Sequence, residues 1–166
     1  MSVRCNIILA DDYHRVQLYR HMGGHPEGEY GVLAALERAL PFAWPLPRFE
    51  PGEFAAALVR AWKNQCGYIY IDGSPEGWEM IHSDVQWVYV VKQAKLADEI
   101  LRALTSTKGK TAKLQFHEPI VEVYNWWPYS NGADPEVATP NPALIVPLSQ
   151  AYDEGMNWFK TNHRGD

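Results

Sequence analysis

Between Tyr19 and Gly28 the chain places one Arg, two His and one Glu in a stretch punctuated by Gly23, Gly24, Pro26 and Gly28. An arginine grips phosphate or carboxylate through a planar fork of donors. Histidines change protonation near neutral pH and act as hydrogen-bond partners, acids or bases. Glycines let backbone N–H groups approach a ligand, and a following helix would offer an electropositive end. Tyr19, Arg20, His21 and His25 are therefore candidate ligand-binding residues, with the Glu27 carboxylate beside them. The competing reading is structural: Gly23-Gly24 makes an ordinary turn, Tyr19 packs, and the histidines hydrogen-bond backbone groups.

A second polar group, His82-Ser83-Asp84, precedes the most apolar strand of the chain. If the two strands are neighbours, His82 and Asp84 meet Arg20, His21 and Glu27 in one cluster of the kind found at active sites. An enzyme built there would use His21, His25, Glu27, His82 and Asp84 as acid, base and orienting groups. A Ser/Asp turn feeding the strand explains the same residues without chemistry. Ser83 between His82 and Asp84 is no triad, because those roles require neighbours in space and not in sequence. His21 and His25 straddle a Gly-Gly loop, not a helical turn, so they do not share a face as zinc ligands would. The sequence accordingly implies no metal and no cofactor.

Trp126, Trp127 and Tyr129 open a Pro-rich segment and could cover a ring by stacking, or anchor that segment by packing.

These groups need elements to position them. Arg4 to Ala10 reads as a buried strand, Asp11-Asp12 as a turn, and Arg15 to His21 as the return strand. Alternation puts Tyr19 and His21 on one face and Arg20 on the other. Glu29 to Leu40 reads as a helix with Glu29 near its positive end. Pro41, Pro45 and Pro47 force an irregular connection with Phe42, Trp44 and Phe49 tucked beneath it. A second helix is predicted over Gly52 to Asn64 and a strand over Tyr68 to Ile71. Trp78 to His82 reads as a short strand. Val85 to Val91 reads as a strand with Val85, Trp87, Tyr89 and Val91 on one face. Its Val88 and Val90 make the other face apolar too, which implies a central place in the sheet. Ala94 to Leu104 reads as an amphipathic helix. Gln115 to Tyr124 has strand character broken by Pro119, which suits an edge. Asn125 to Pro147 reads as a long loop, and Leu148 to Lys160 as a closing helix.

These elements predict a single α+β domain, with a mainly antiparallel sheet and helices packed on one face. Residues 1–124 form its core, and 125–166 add a Pro-rich aromatic arm and a closing helix within the same domain. The chain has 166 residues, enough to bury a core without staples. A net charge of −5 argues against a general nucleic-acid binder. No apolar run approaches the ~20 residues needed to span a bilayer. Cys5 and Cys66 are the only cysteines and form no Cys-x-x-Cys pair, so a reduced, cytoplasmic setting is expected.

The first two-thirds of the chain resembles a widespread family of small, uncharacterised bacterial and phage proteins. That family has a strand ending in Tyr-Arg-His or Tyr-Arg-Gln, then a turn of the form Asp-Gly-Tyr-Pro-x-Gly. Leu18-Tyr19-Arg20-His21 and Gly23-Gly24-His25-Pro26-Glu27-Gly28 occupy those positions here. Ile81 to Val90 is similar to the family's His-Gly-Asp-Ile-Glu-Trp-x-Tyr-Val-Ile stretch. Gly23 stands where the family has Asp, and His25 where it has Tyr. The resemblance implies one shared site and the fold around it. The leading expectation is a protein that binds an anionic, nucleotide-derived molecule without turnover, as a phage protein sequestering a host signalling nucleotide would. The ligand-binding set is Tyr19, Arg20, His21, His25, His82, Asp84, Trp126, Trp127 and Tyr129. A phosphoester or glycosidic hydrolase is the alternative, and a protein-interaction module without a ligand is the third. A homodimer is compatible with each.

Overall fold

Alternating and continuous apolar runs organise the chain into one sheet with helices against it. The structure is a computed structural model, and it describes residues 2–63, 68–73, 81, 84–93, 118–126 and 141–162. The strands are β1 (Cys5–Ala10), β2 (Arg15–Arg20), β3 (Ile69–Gly73), β4 (Trp87–Lys92), β5 (Ile120–Asn125) and β6 (Leu144–Pro147). The helices are α1 (Val32–Ala39), α2 (Pro51–Lys63) and α3 (Ala151–Asn162), with single 3-10 turns at Leu40–Phe42 and Leu148–Gln150. Strand order is β3-β2-β1-β4-β5-β6. Among the described strands β1 and β4 run parallel and the other pairings are antiparallel. The α+β domain with a mainly antiparallel sheet follows.

The β1–β2 hairpin closes because Asp11 Oδ1 accepts from the backbone N–H groups of Tyr13 at 2.7 Å and His14 at 2.6 Å. Register then sorts every side chain. Cys5, Ile7, Leu9, Leu18, Tyr89, Val91, Val121, Val123 and Val146 face the helices and bury against Val32, Leu33 and Leu36 of α1 and Phe54, Leu58 and Trp62 of α2. Ile8, Tyr19, Val85, Val88, Tyr124 and Trp126 make a second, smaller core on the other face. Burial of this apolar area is the main stabilising term. As its two apolar faces require, β4 lies inside the sheet, between β1 and β5.

Several boundaries and placements differ from the sequence reading. α1 begins at Val32, because Gly28 takes φ 84 and Gly31 N–H closes a turn onto Gly28 O at 3.1 Å. Glu29 therefore lies outside the first helical turn and faces Arg38 at 3.7 Å on the surface. α2 starts at Pro51, where the absent N–H costs nothing, and Glu50 accepts from Gly52 N–H at 3.0 Å and Glu53 N–H at 2.6 Å. Phe49 is buried, but Phe42 and Trp44 are 42% and 38% exposed. Each carries a guanidinium on its face, Arg60 at 4.4 Å and Arg48 at 3.5 Å. Val85 leaves the Trp87 face because it precedes the strand.

Pro119 does not mark an edge. β5 starts one residue after it and is paired on both sides, so the ring sits where no ladder N–H is needed. The last residues of the presumed long loop form the edge strand β6. α3 starts at Ala151, after the 3-10 turn. The helix predicted over Ala94 to Leu104 and the strand over Trp78 to His82 lie outside the described residues, apart from Ile81. Among the described residues no helix is long and apolar enough to cross a membrane.

The turn after β2 is held to β1 by Gly24 N–H, which donates to Val3 O at 2.9 Å. A Cβ on Gly24 would lie 2.7 Å from the Arg4 carbonyl carbon and 2.8 Å from Cys5 N. Gly24→Ala is expected to cost about 1–3 kcal/mol, as overpacking against backbone does. Gly52→Ala meets only the Glu50 carboxylate, at 3.3 Å, and is expected to be near neutral. Paired thermal melts check both.

Candidate functional site

The two-residue period of β2 splits the opening motif between the two faces of the sheet. Arg20 turns toward the helices and is 2% exposed. Its guanidinium lies 3.8 Å from the Trp62 ring centroid, and Nη2 donates to Tyr30 O at 2.9 Å. A Cβ on Gly23 would come within 2.7 Å of that Nη2, and Gly23 takes φ 66, so glycine satisfies two constraints at once. Tyr89 OH closes the same compartment by donating to Gly24 O at 2.8 Å. His25 and Pro26 lend their carbonyls to the start of α1, with Val32 N–H donating to His25 O at 2.9 Å. This side of the motif binds the turn to α1 and α2. Burial pushes the Cys5 thiol up to about 12, with the Arg20 charge opposing, so no thiolate is available there.

Tyr19 and His21 are on the other side. Tyr19 OH donates to Asp84 Oδ2 at 3.2 Å and stands 3.4 Å from His21 Nδ1. Arg4 Nη1 binds the same Asp84 oxygen at 2.7 Å. The Tyr70 ring tilts against Tyr19 at a centroid distance of 5.3 Å, as their cross-strand pairing dictates. His21 itself is placed by backbone, since its N–H donates to Tyr68 O at 3.2 Å and its carbonyl accepts from Ser2 Oγ. A cavity of about 430 Å3 opens here, lined by Tyr19, His21, Lys63, Tyr68, Ile69 and Tyr70. That volume is in the range of small-molecule clefts.

The electrostatics of the cavity follow from these neighbours. Asp84 is paired with Arg4, and Lys63 is the cation among the residues lining the cavity. Burial, then the Asp84 charge and hydrogen bond, push the Tyr19 hydroxyl up to about 12. Tyr70 is raised by burial first, then by Asp72 and Asp84. Tyr19 is therefore a neutral donor at physiological pH. Ring faces, a hydroxyl, an imidazole and an ammonium around one hollow can stack on a planar group and grip an anion.

Of the sequence-expected residues, Tyr19, His21 and Asp84 come together. Arg20 lies across the sheet from them, as alternation foretold, and His25 and Glu27 belong to the turn. Trp126 is 5% exposed and packs in the second core, with its N–H donating to Gln86 O at 2.8 Å. That is the packing alternative. His82, Trp127, Tyr129 and Cys66 lie outside the described residues. Sequence reasoning missed Arg4, Lys63, Tyr68 and Tyr70. The alternation Tyr68-Ile69-Tyr70 did carry a signal, because it sets two rings on the face away from buried Ile69. Among the described residues no group of three His, Cys, Asp or Glu could hold a metal ion.

No family model matches the chain, and no curated protein and no solved structure matches it either.

The raised Tyr19 hydroxyl has a measurable consequence. A group whose folded pKa exceeds its unfolded one stabilises fully below the unfolded value, here 10.0, and loses that contribution as pH rises through the folded value. Tyr19 is expected to ionise only near pH 12, and earlier in Asp84→Asn. Phenolate absorbance during alkaline titration, with Tyr19→Phe for assignment, checks this.

Proposed function

We propose that this chain binds a small anionic molecule carrying a planar ring, in the cavity between β2, β3 and the end of α2. The supporting observation is the set of side chains around that hollow: Lys63 and His21 for the anion, Tyr68 and Tyr70 for the ring. Charge-assisted hydrogen bonds contribute about 1.5–3 kcal/mol each. Stacking a base on an aromatic side chain adds roughly 1–3 kcal/mol. A nucleotide-derived molecule unites both chemistries, and retention without turnover would make the protein a sequestering agent. In this reading the anion is held by Lys63, which lines the cavity, rather than by Arg20, which is buried against Trp62 on the helix side of the sheet.

A hydrolytic reading draws on one observation, the approach of His21 Nδ1 to Tyr19 OH at 3.4 Å. It differs in outcome, since only altered ligand would be recovered from the denatured complex.

Calorimetry against a panel of nucleoside monophosphates tests the binding reading. Lys63→Met is expected to weaken binding about tenfold or more. Arg20→Lys is expected to lower Tm while leaving Kd unchanged, because a lysine cannot stack and fork in the buried compartment. Absence of binding by any member to the folded protein would overturn the reading, and so would an unaltered Kd in Lys63→Met.

A further inference from the structure

The chain of contacts from Arg4 through Asp84 and Tyr19 to His21 constrains where protons can sit. Asp84 pairs with Arg4 Nη1 at 2.7 Å. It can only accept from Tyr19 OH, at 3.2 Å, and a phenol has one proton to donate. The Tyr19 oxygen, 3.4 Å from His21 Nδ1, therefore meets that nitrogen as an acceptor. A hydrogen bond between them requires Nδ1 to carry hydrogen. The imidazole is left with Nε2 as its one titrating atom, and His21 lines the cavity that also holds Lys63.

We propose that Arg4, Asp84 and Tyr19 are positioning residues that fix His21 in the Nδ1–H form, so that the cavity takes up a proton on Nε2 together with its anion. This rests on the binding reading above and adds its regulation. With Nε2 neutral, His21 offers a lone pair, which repels an anionic oxygen. With Nε2 protonated, it offers a charged donor beside the Lys63 ammonium. The step balances: one proton leaves solvent, one N–H bond forms, and the anion's charge is met without any covalent change. The groups that line the cavity with the imidazole are Tyr19 from β2, Lys63 at the end of α2, Tyr68 just before β3 and Tyr70 within it, and Asp84, paired with Arg4, lies behind the Tyr19 hydroxyl. Among these residue types, imidazole is the one whose ordinary titration falls between pH 5 and 8. The ligand class is then an anion that keeps its charge across that range, such as a sulfate ester or a phosphate diester, neither of which has a proton to exchange there.

Two measurements on the intact chain decide the matter. Nitrogen-15 spectra of the ligand-free protein at pH 8 are expected to show His21 as the Nδ1–H form, and to lose that form in Tyr19→Phe. An Nε2–H form in the unaltered protein would overturn the proposal, whatever binds. The second probe is phenyl sulfate, which has a ring, a permanent charge and no proton of its own to exchange. Its affinity is expected to rise roughly tenfold from pH 8 to pH 6, as protonation of one imidazole would give. Calorimetry in buffers of different ionisation enthalpy is expected to register proton uptake on binding. His21→Gln should bind with no pH dependence. Binding with a flat pH profile in the unaltered protein would overturn the proton linkage while leaving the cavity as a ligand site. No binding of phenyl sulfate at either pH, with the Nδ1–H form present, would count against the cavity as an anion site and with it the linkage, leaving only the tautomer assignment standing.

Discussion

The buried guanidinium of Arg20 is the interaction on which the rest of the arrangement depends. A charge taken out of water costs several kcal/mol unless it is matched by well-placed partners. Among its partners are the Trp62 ring and the Tyr30 carbonyl, one from α2 and one from the segment just before α1. Holding Arg20 therefore fixes three things together: the end of β2, the path of the glycine turn, and the seating of both helices on the sheet. Gly23 and Gly24 are the local answer to the same demand. One leaves room for the guanidinium, the other for the backbone of Arg4 and Cys5.

Because strand side chains alternate, anchoring Arg20 on one face aims Tyr19 and His21 at the other. The site shares Ile69 with the main core and takes its side-chain directions from the same strand. Tyr19 belongs to the smaller core with Ile8 and Val88, while its hydroxyl reaches Asp84. β3 adds the cavity's second wall through its pairing with β2, and Tyr70 stands directly opposite Tyr19. First-placed polar groups supported by packed neighbours are what a binding site needs to keep its geometry. The outer edge of the sheet at β3 leaves the cavity open to solvent-borne ligands.

Much of the fold was legible in the sequence, for identifiable reasons. The apolar run of β1, the alternation of β2 and the two-sided apolar character of β4 each reflect burial directly, and each strand overlaps the span the pattern gave it, with shifted ends. Misjudgements arose where a local cue was ambiguous. Pro119 can mark an edge or a strand start, and only the pairing of β5 with both β4 and β6 decides between them. Phe42 and Trp44 looked like core residues by type, yet Arg60 and Arg48 cover them at the surface. Glu29 looked like a first-turn acid until Gly28 and Gly31 moved the helix start past it.

For the site, the sequence by itself determined the separation of Tyr19 and His21 from Arg20, since the period of a strand is fixed by backbone geometry. It also marked the turn after β2 as the place to look. Only the tertiary structure decided which residues share a cavity. Arg4 and Asp84 are eighty positions apart, and Lys63 and Tyr70 come from different elements. Their meeting depends on strand order and helix placement, which arise from packing of the whole chain and leave no trace in local spacing. Chemistry-bearing residue types can be read one at a time from the sequence. The partners that set their protons and charges are chosen by the fold.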